Sequence, residues 1–378
     1  MIKEKLLGNS IIWTVNAMIK SWQVEFRYNF WRGYYYLKKI RKLSLPHLEN
    51  EFPNVLYIGA NEMQDKTGFL QALNSVCGCV IPFTKENGGW GQYDSLEPQR
   101  EKKNFQRLDE ILSKSDVHID IVIMQGWGTS FYANDINLLK EKYGFLVFNI
   151  DMDSRLIYRN IWCVFKQNPG IFGLHNCVDL ALVTTREICE WYIKEGVPAI
   201  YFPLASSEQF YYPIDGVKKI YDVGFIGGNY GIRNELINFL VKRGINVETR
   251  GPGWKNGPIE FEKNNLFFNQ CKIVLGIGNI SYCKKFYNPK LRDYDVPMSG
   301  SVYVTNRTKE LESDYLDGKE IFLYSSWDEL VDLIKWILSK PKIIKEVGKA
   351  AYNRARRDHA YEIQLKRLFY KLATDKKM

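Results

Sequence analysis

The feature that most constrains the fold is an alternation of strands and helices that runs twice along the chain. In the first run, apolar strands such as NVLYIGA (54–60) and FLVFNIDMD (145–153) alternate with helical segments, and a second run begins at DVGFIG (222–227). Strands separated by helices form mainly parallel sheets, because a parallel neighbour requires a crossover connection. The polar stretch 206–221 interrupts the pattern and predicts an interdomain linker. The sequence therefore predicts an α/β protein with two Rossmann-like halves.

Two helical segments flank this alternation and complete the predicted domain organisation. We assign the chain to a basic, aromatic-rich helical arm (1–45), an N-terminal Rossmann-like domain (46–205), a linker (206–221), a C-terminal Rossmann-like domain (222–341) and C-terminal helices (342–378). A length of 378 residues is sufficient for two domains, each with a hydrophobic core of its own.

The composition argues against several classes of protein. No apolar run reaches the roughly 18 residues that a transmembrane helix needs, and IIWTVNAMI (11–19) lacks the small-residue cleavage site of a signal peptide. The seven cysteines do not have metal-binding spacing, which indicates reduced thiols. No nucleic-acid-binding motif accompanies the net charge of +9. We therefore expect a cytoplasmic protein with no nucleic-acid partner.

The excess of basic residues is concentrated in the arm. Residues 1–42 contain nine lysines and arginines against two glutamates, a net charge of +7. Apolar side chains recur there at helical spacing: Ile12, Val15, Ile19, Trp22 and Phe26. An amphipathic helix with a basic polar face is typical of interfacial membrane anchors, and the alternative is a helix that packs on its own domain. We predict that residues 1–45 hold the protein at the inner face of an anionic membrane.

A dense group of charged residues lies in the stretch NPKLRDYDVPMSGSVYVTN (288–306), where Lys290 and Arg292 precede Asp293 and Asp295. Free backbone N–H groups and the dipole at a helix start attract anions, so cations at that place favour phosphate binding. Carboxylates in the first turn can accept hydrogen bonds from sugar hydroxyls. The stretch therefore predicts contacts with the phosphate and the ribose of a nucleotide.

A second stretch that favours phosphate lies upstream, in DVGFIGGNYGIRNELINFL (222–240). It has a strand, a glycine turn at Gly227-Gly228 and a helix, in the order that cradles phosphate groups. Its glycines do not have the spacing of a dinucleotide fingerprint, so a dehydrogenase is the weaker alternative. Together the two stretches predict one nucleotide pocket in the C-terminal half.

Several sequence blocks follow one another in the C-terminal half: FIGGNYGIRNELINFL, NQCKIVLGI, KLRDYDVPMSGSVYVTN, DGKEIFLYSSWDELVDLIKWIL and RRDHAYE. Together they resemble the group 1 glycosyltransferases, and in particular their spore-maturation, CgeB-like branch. The resemblance covers about residues 200–365. The N-terminal half is similar only as the more variable acceptor domain of that family.

The resemblance implies the GT-B architecture, in which two Rossmann-like domains face a cleft and the C-terminal one holds a nucleotide-diphosphate sugar. It implies that Asp295 contacts the ribose, although Asp295 is shorter than the family's usual Glu and Tyr294 replaces its Phe. It also implies that basic side chains contact the diphosphate, namely Arg233, Lys290 and Arg292. The loop Gly251-Pro-Gly-Trp254 corresponds to the place where the base packs. The other predicted donor contacts are Gly227, Gly228, Asn229, Ser299 and Gly300.

An acidic pair, Asp151-Met-Asp153, ends an apolar strand of the N-terminal half. Active residues of parallel sheets lie at the carboxyl ends of strands, so we predict that Asp151 or Asp153 is the catalytic base or an acceptor contact, with Asp151 preferred. The alternatives are a solvated strand end and a metal-binding DxD pair, which would belong to the other glycosyltransferase architecture.

These observations predict a glycosyltransferase that moves a sugar from a nucleotide-diphosphate sugar, such as a UDP-sugar, to a glycan or lipid-linked acceptor in bacterial surface polysaccharide synthesis. Because Arg233, Lys290 and Arg292 can neutralise the leaving diphosphate, we expect no metal and no other required cofactor. The alternatives are a nucleotide-sugar epimerase or hydrolase on the same fold, and a noncatalytic nucleotide-sugar-binding structural protein.

Overall fold

The computed structural model describes residues 10–159 and 170–374, with the side chains of the first helix described from Val15 onward. The first nine residues of the predicted arm therefore lie outside the described residues. Helix α1 (Ser10–Leu37) opens the described chain. Within this part of the chain, no helix combines the length and the apolar character needed to cross a lipid bilayer.

The described residues form two compact units. The N-terminal unit consists of Trp31–Ser207 and the tail from His359, and the C-terminal unit consists of Glu208–Asp358 and the first segment up to Phe30. The division after Ser207 lies at the start of the predicted linker.

The N-terminal unit is built on a parallel six-stranded sheet with the order β2-β1-β3-β4-β5-β6. Its strands are β1 (Asn54–Ile58), β2 (Cys79–Pro82), β3 (Ile121–Met124), β4 (Leu146–Asp151), β5 (Leu180–Val183) and β6 (Ala199–Tyr201). The helices between them are α2 (Glu62–Gln64), α3 (Leu70–Val76), α4 (Arg100–Ser113), α5 (Ala133–Tyr143), α6 (Ser154–Ile157) and α7 (Arg186–Glu195). The central strands are almost continuous runs of buried apolar residues, as expected for a parallel sheet covered on both faces.

The C-terminal unit is built on a parallel five-stranded sheet with the order β11-β10-β9-β7-β8. Its strands are β7 (Tyr221–Ile226), β8 (Val247–Arg250), β9 (Cys271–Leu275), β10 (Tyr303–Asn306) and β11 (Phe322–Tyr324). Its helices after α1 are α8 (Arg233–Lys242), α9 (Asn264–Gln270), α10 (Arg292–Met298), α11 (Lys309–Asp314), α12 (Trp327–Leu338) and α13 (Pro341–Asp358). Helix α14 (Tyr361–Thr374) follows in the tail. The two parallel sheets confirm the predicted pair of Rossmann-like halves.

Helix α1 confirms the predicted helical arm, but its buried face is not the predicted apolar stripe. Val15, Ile19, Trp22 and Phe26 are exposed, Trp22 by 63%, and the side chain of Ile12 lies outside the described residues. The opposite face of the helix is the buried one, with Val24, Tyr28, Trp31 and Tyr35. Because both faces are apolar, periodicity alone cannot show which of them packs on the protein.

The predicted boundary of the arm at residue 45 does not match the packing of α1. Tyr35 is fully buried in the N-terminal unit, where its ring stacks on Trp191 at 4.9 Å and its hydroxyl donates to Glu195 at 2.8 Å. The second half of the helix is thus part of the N-terminal core.

The predicted terminal segment, 342–378, is likewise divided between the units. Helix α13 belongs to the C-terminal unit, whereas α14 packs in the N-terminal unit. There the backbone N–H of Leu48 donates to the carbonyl of Leu372 at 3.0 Å, and Tyr361 makes an edge contact with Phe69 at 5.5 Å.

Candidate functional site

Two loops at the carboxyl ends of the neighbouring strands β7 and β8 are hydrogen-bonded to each other. The Gly227 N–H donates to the carbonyl of Arg250, and the Asn229 N–H donates to that of Pro252, both at 2.8 Å. The indole N–H of Trp254 donates to the carbonyl of Gly227 at 2.7 Å. These bonds bring together the predicted donor residues of both loops, Gly227, Gly228, Asn229, Gly251 and Trp254.

Two guanidinium groups converge on the Gly227 turn. A β-carbon at Gly227 would lie 2.8 Å from Nη1 of Arg292 and 3.2 Å from Nη1 of Arg233, so a glycine is needed to leave room for both. Arg233 is the first residue of α8, and Arg292 is the first residue of α10. The two predicted diphosphate residues, far apart in sequence, are therefore neighbours in space.

The partners of these arginines are neutral. Arg233 donates to the carbonyl of Gly228 at 2.7 Å and to the hydroxyl of Tyr230 at 2.9 Å, and Arg292 donates to the carbonyl of Ile277 at 3.4 Å. Among the described residues, Nε of each is buried and has no hydrogen-bond partner. Burial and the nearby charge of Arg292 lower the pKa of Arg233 to about 10, which still leaves it charged at neutral pH.

An aromatic ring lies beside both cations. The ring of Phe225, which is fully buried in β7, has its centre 4.9 Å from the guanidinium carbon of Arg292 and 5.4 Å from that of Arg233. The ring of Tyr230 also lies over Arg233, with 3.9 Å between the ring centre and the guanidinium carbon. Aromatic faces attract cations without neutralising them. The site is thus a preorganised pair of positive charges whose hydrogen-bond partners are neutral, with the buried carboxyl group of Asp293 near enough to Arg292 for a charge interaction. It suits an anion with two negative charges, such as a diphosphate.

In the segment from Lys290 to Asp295, Asp293 has a structural role, whereas Lys290 and Asp295 lie closer to the surface. Asp293 is buried and accepts hydrogen bonds from the Lys290 N–H and the Tyr303 hydroxyl, both at 2.6 Å, so it holds the start of α10. Burial raises the pKa of Asp293. The side chains of Lys290 and Asp295 are half-buried, and they stay the predicted contacts of the diphosphate and the ribose.

Ser299 and Gly300 do not fit the predicted donor contacts. Ser299 is fully buried, and its hydroxyl donates to the carbonyl of Val296 at 2.7 Å. Gly300 packs against Pro213, which a β-carbon there would approach to 2.8 Å. Both residues end α10, at the opposite end from Arg292. Their sequence pattern reflects helix termination, and we remove them from the candidate site.

The predicted catalytic carboxylates lie in different environments. Asp151 is buried, and it accepts hydrogen bonds from Tyr192 at 2.8 Å and from the hydroxyl and the backbone N–H of Ser154. It therefore fixes the turn that starts α6. Asp153 is half-buried at the beginning of that helix, where its side chain makes no capping bond. The geometry favours Asp153 as the carboxylate that could meet an acceptor.

A small slot, with a cavity volume of about 20 Å³, lies at the carboxyl edge of the N-terminal sheet, beside this acidic pair. Its walls are mainly apolar and include Ile150, Met152, Phe202 and Leu204. Asp65 lies at one side of it, but this buried carboxylate already accepts hydrogen bonds from Tyr57, Gln125, Trp90 and the backbone of Ala60 and Asn61. Asp65 is thus a structural residue of the slot.

Ionisation of Asp151 should make stability depend on pH. Burial raises the pKa of Asp151 from 3.8 to about 6, so its contribution to stability is complete below pH 3.8 and is lost as the pH rises through about 6. Asp151→Asn should remove this loss, which amounts to about 3 kcal/mol for a shift of this size. Urea titrations at a series of pH values measure the free energy of unfolding. The same pH dependence in the wild type and the variant would contradict this assignment.

Some residues of the candidate site could not be found from sequence. Phe225 reads as one more apolar residue of a buried strand, and nothing in its neighbours indicates two cations beside its ring. Tyr230 and Ile277 act through a hydroxyl and a backbone carbonyl, and neither group forms part of a recognisable motif. Tyr230 had one weak signal, its position two residues after the glycine pair Gly227-Gly228.

Comparisons with known proteins bear on this geometry. Residues 233–369 match the glycosyl transferase-like family, a segment that includes Arg233, Arg292 and Asp295. No curated protein has a significantly similar sequence. The match covers the helices that carry both arginines.

Solved structures share the fold of the chain at low sequence identity. Sucrose-phosphate synthase from Thermosynechococcus elongatus has a TM-score of 0.60 at 11% identity, over 84% of this chain and 99% of that one. HepE from Anabaena in complex with UDP has a TM-score of 0.57 at 9% identity, over 84% and 99%. A putative UDP-N-acetylglucosamine 2-epimerase from Listeria monocytogenes has a TM-score of 0.51 at 12% identity, over 85% and 96%. The chain therefore shares the two-domain α/β fold of these structures, and its segment 233–369 matches the glycosyl transferase-like family.

Proposed function

We propose that this protein transfers a sugar from a nucleoside-diphosphate sugar to a hydroxyl of a glycan or glycolipid, in the synthesis of a bacterial surface polysaccharide. The observation that carries this proposal is the pair of guanidinium groups at Gly227, which are charged, preorganised and held by neutral partners. Uridine is the first base to test, because HepE, which shares the fold, binds UDP. Within the family we propose the CgeB-like branch, on the sequence blocks quoted above.

The arrangement explains how the reaction would be accelerated. Cleavage of the bond to the sugar leaves negative charge on the diphosphate oxygens, and Arg233 and Arg292 stabilise that charge as it develops. Their positions are fixed before the substrate arrives, so little reorganisation is needed in the transition state. Lys290 and the first N–H groups of α10 would add to this stabilisation, and Asp295 would accept a hydrogen bond from the ribose.

We assign the acceptor to the N-terminal unit. The apolar side chains around Met152, which precedes Asp153, would contact the apolar portion of an acceptor such as a lipid-linked sugar. Asp153 is our candidate for the base or acceptor contact, since Asp151 uses its oxygens within the protein. A carboxylate at this place could orient the acceptor hydroxyl and take up its proton if the reaction inverts the anomeric centre.

We also propose that the protein works at the cytoplasmic face of a membrane. The exposed apolar face of α1 would enter the lipid interface, and the exposed Lys20 would contact anionic headgroups. Binding to vesicles should therefore weaken as the salt concentration rises.

A transfer assay tests the central proposal. Labelled UDP-sugars are incubated with the full chain, with and without membrane lipid extracts, and the labelled products are separated. Label that moves to lipid or glycan supports transfer. Free sugar that forms without any acceptor would indicate a hydrolase, and an isomerised donor would indicate an epimerase. Binding of the UDP-sugar without turnover in any extract would favour the noncatalytic alternative.

Turnover should not depend on a divalent metal ion. Because two arginines already face the leaving diphosphate, we expect a chelator to leave the rate within about two-fold, a change of less than 0.5 kcal/mol in the barrier. The measurement is the rate of UDP release before and after treatment with the chelator. Loss of activity that manganese restores would revive the metal-binding alternative for Asp151 and Asp153.

A further inference from the structure

The inner face of α1 is attached to one loop of the C-terminal unit, residues 276–291, which we call the donor loop. The ring of Tyr28 lies 4.6 Å from that of Phe286. The carboxylate of Glu25 pairs with Lys285 at 2.8 Å, and Lys20 lies over the ring of Tyr282 at 5.6 Å. Aromatic, ionic and cation–π contacts thus join one helix face to one short loop.

The other side of the donor loop is attached to the proposed diphosphate site. The carbonyl of Ser281 accepts a hydrogen bond from the N–H of Ile232 at 3.1 Å, directly before Arg233. A β-carbon at Gly231 would lie 2.0 Å from that carbonyl, and Gly231 has a φ of 61°, so the loop and the start of α8 meet at a glycine. Lys284 pairs with Glu235 of the same helix at 2.5 Å.

The donor loop also contains the hydrogen-bond partner of the second arginine, Arg292, and leads into the helix that begins with it. Its residue Ile277 accepts the hydrogen bond from Arg292, and its last residues lead directly into α10. A displacement of the loop would therefore disturb both guanidinium groups, one through Ile232 and the other through Ile277.

The outer face of the same helix is exposed and without charge. Between residues 15 and 30 it presents Val15, Met18, Ile19, Trp22, Phe26 and Phe30, each at least 44% exposed. Lys20, which lies over Tyr282 at the border between the two faces, remains exposed to solvent. An uncharged aromatic face with an exposed lysine at its border is complementary to an anionic lipid surface, where the rings enter the interface and the lysine meets a headgroup.

We propose that α1 links lipid binding to donor binding: lipid on its outer face stabilises the docked helix, and its inner face then holds the donor loop in the geometry that binds the diphosphate. This inference rests on the proposed function, since it concerns the regulation of that same donor site. An isolated helix end with few buried side chains opens easily in water, and lipid would lower the population of that open state. By linkage, UDP must raise the affinity for lipid by the same factor as lipid raises the affinity for UDP.

The test uses calorimetry of UDP with the full chain, in the presence and absence of vesicles of phosphatidylcholine and phosphatidylglycerol. The wild type should bind UDP about five-fold or more tightly with vesicles. Glu25→Gln and Tyr28→Ala break the inner contacts, so each should still bind vesicles but lose most of this enhancement. Glu25→Gln is the informative variant if Tyr28→Ala does not fold, because Glu25 lies near the surface.

Variants of the outer face of α1 test whether lipid binding itself is needed for the enhancement. The double variant Trp22→Ser/Phe26→Ser should not sediment with vesicles, yet it should bind UDP as the wild type does without lipid. The matched control is Leu96→Ser, which removes an exposed apolar side chain of the N-terminal unit and should change neither quantity. Vesicle binding with an unchanged affinity for UDP would overturn the linkage alone. If the wild type bound no UDP under any condition, the proposed function would be wrong, and this inference with it. If the wild type did not sediment with vesicles, the claim that the outer face of α1 binds lipid would be wrong.

Discussion

Replacing Arg292 by alanine is expected to weaken binding of the nucleoside diphosphate by about 1.5 to 3 kcal/mol, the usual worth of a hydrogen bond to a charged group. The loss should be larger in turnover than in binding, because the charge on the diphosphate grows as the bond to the sugar breaks. Calorimetry with UDP and the rate of sugar transfer measure the two effects. Arg233→Ala should act in the same direction, and the two losses should not be additive, because the cations share one anion.

An exposed arginine of the same unit provides the control for this prediction. Arg243 is the residue that follows α8, and it pairs with Asp328 at 3.0 Å. Arg243→Ala removes the same charge from the C-terminal unit and should leave the affinity for UDP unchanged. If the folded Arg292→Ala protein bound UDP as tightly as the wild type, the diphosphate site would have to lie elsewhere.

Tyr35→Ala is expected to destabilise the protein by about 3 to 5 kcal/mol, the range for removing a large buried aromatic side chain. The ring is fully buried, stacks on Trp191 and meets Tyr158 edge-on at 5.7 Å, and its hydroxyl donates to Glu195. Tyr35→Phe keeps the ring and should cost only about 1 kcal/mol for the lost hydrogen bond. Urea denaturation followed by tryptophan fluorescence measures the free energy of unfolding.

The next residue of the same helix provides the control for the second prediction. Tyr36 is 85% exposed, and Tyr36→Ala should change the free energy of unfolding by less than about 0.5 kcal/mol. A truncation of residues 1–45 should destabilise the N-terminal unit at least as much as Tyr35→Ala. Similar effects of Tyr35→Ala and Tyr36→Ala would show that α1 does not belong to the N-terminal core.

Local sequence patterns are the reason why both the sheets and the arginine pair could be predicted from the sequence. Buried parallel strands require continuous apolar runs such as IVIM (121–124), and the glycine turn at Gly227 precedes a helix that starts with Arg233. Such local patterns fix local structure, and the parallel topology then places strand ends at one edge of a sheet. The position of Arg292 against Gly227 is the consequence of that topology.

The features that sequence reasoning missed depend on which of several similar surfaces is covered. Trp22 and Tyr28 are both large apolar residues of one helix, but only contacts with Phe286 and its neighbours decide that Tyr28 is buried. Ser299 lies next to a glycine and near Arg292, and only its bond to the Val296 carbonyl shows that it ends a helix. Sequence patterns limit the candidates, whereas distant contacts choose among them.

The division of the N-terminal unit between two distant parts of the chain has a consequence for the order of synthesis. Leu365 and Phe369 of α14 are fully buried in that unit, yet a ribosome makes them only after the whole C-terminal unit. Part of the apolar surface of the N-terminal sheet therefore stays uncovered while the ribosome makes the C-terminal unit. This takes about 8 seconds or more at a typical rate of about 5 to 20 residues per second. During translation the C-terminal unit can bury its core first, because the N-terminal sheet is still without α14. A nascent chain stalled before residue 361 should therefore present a site for chaperones on its N-terminal half.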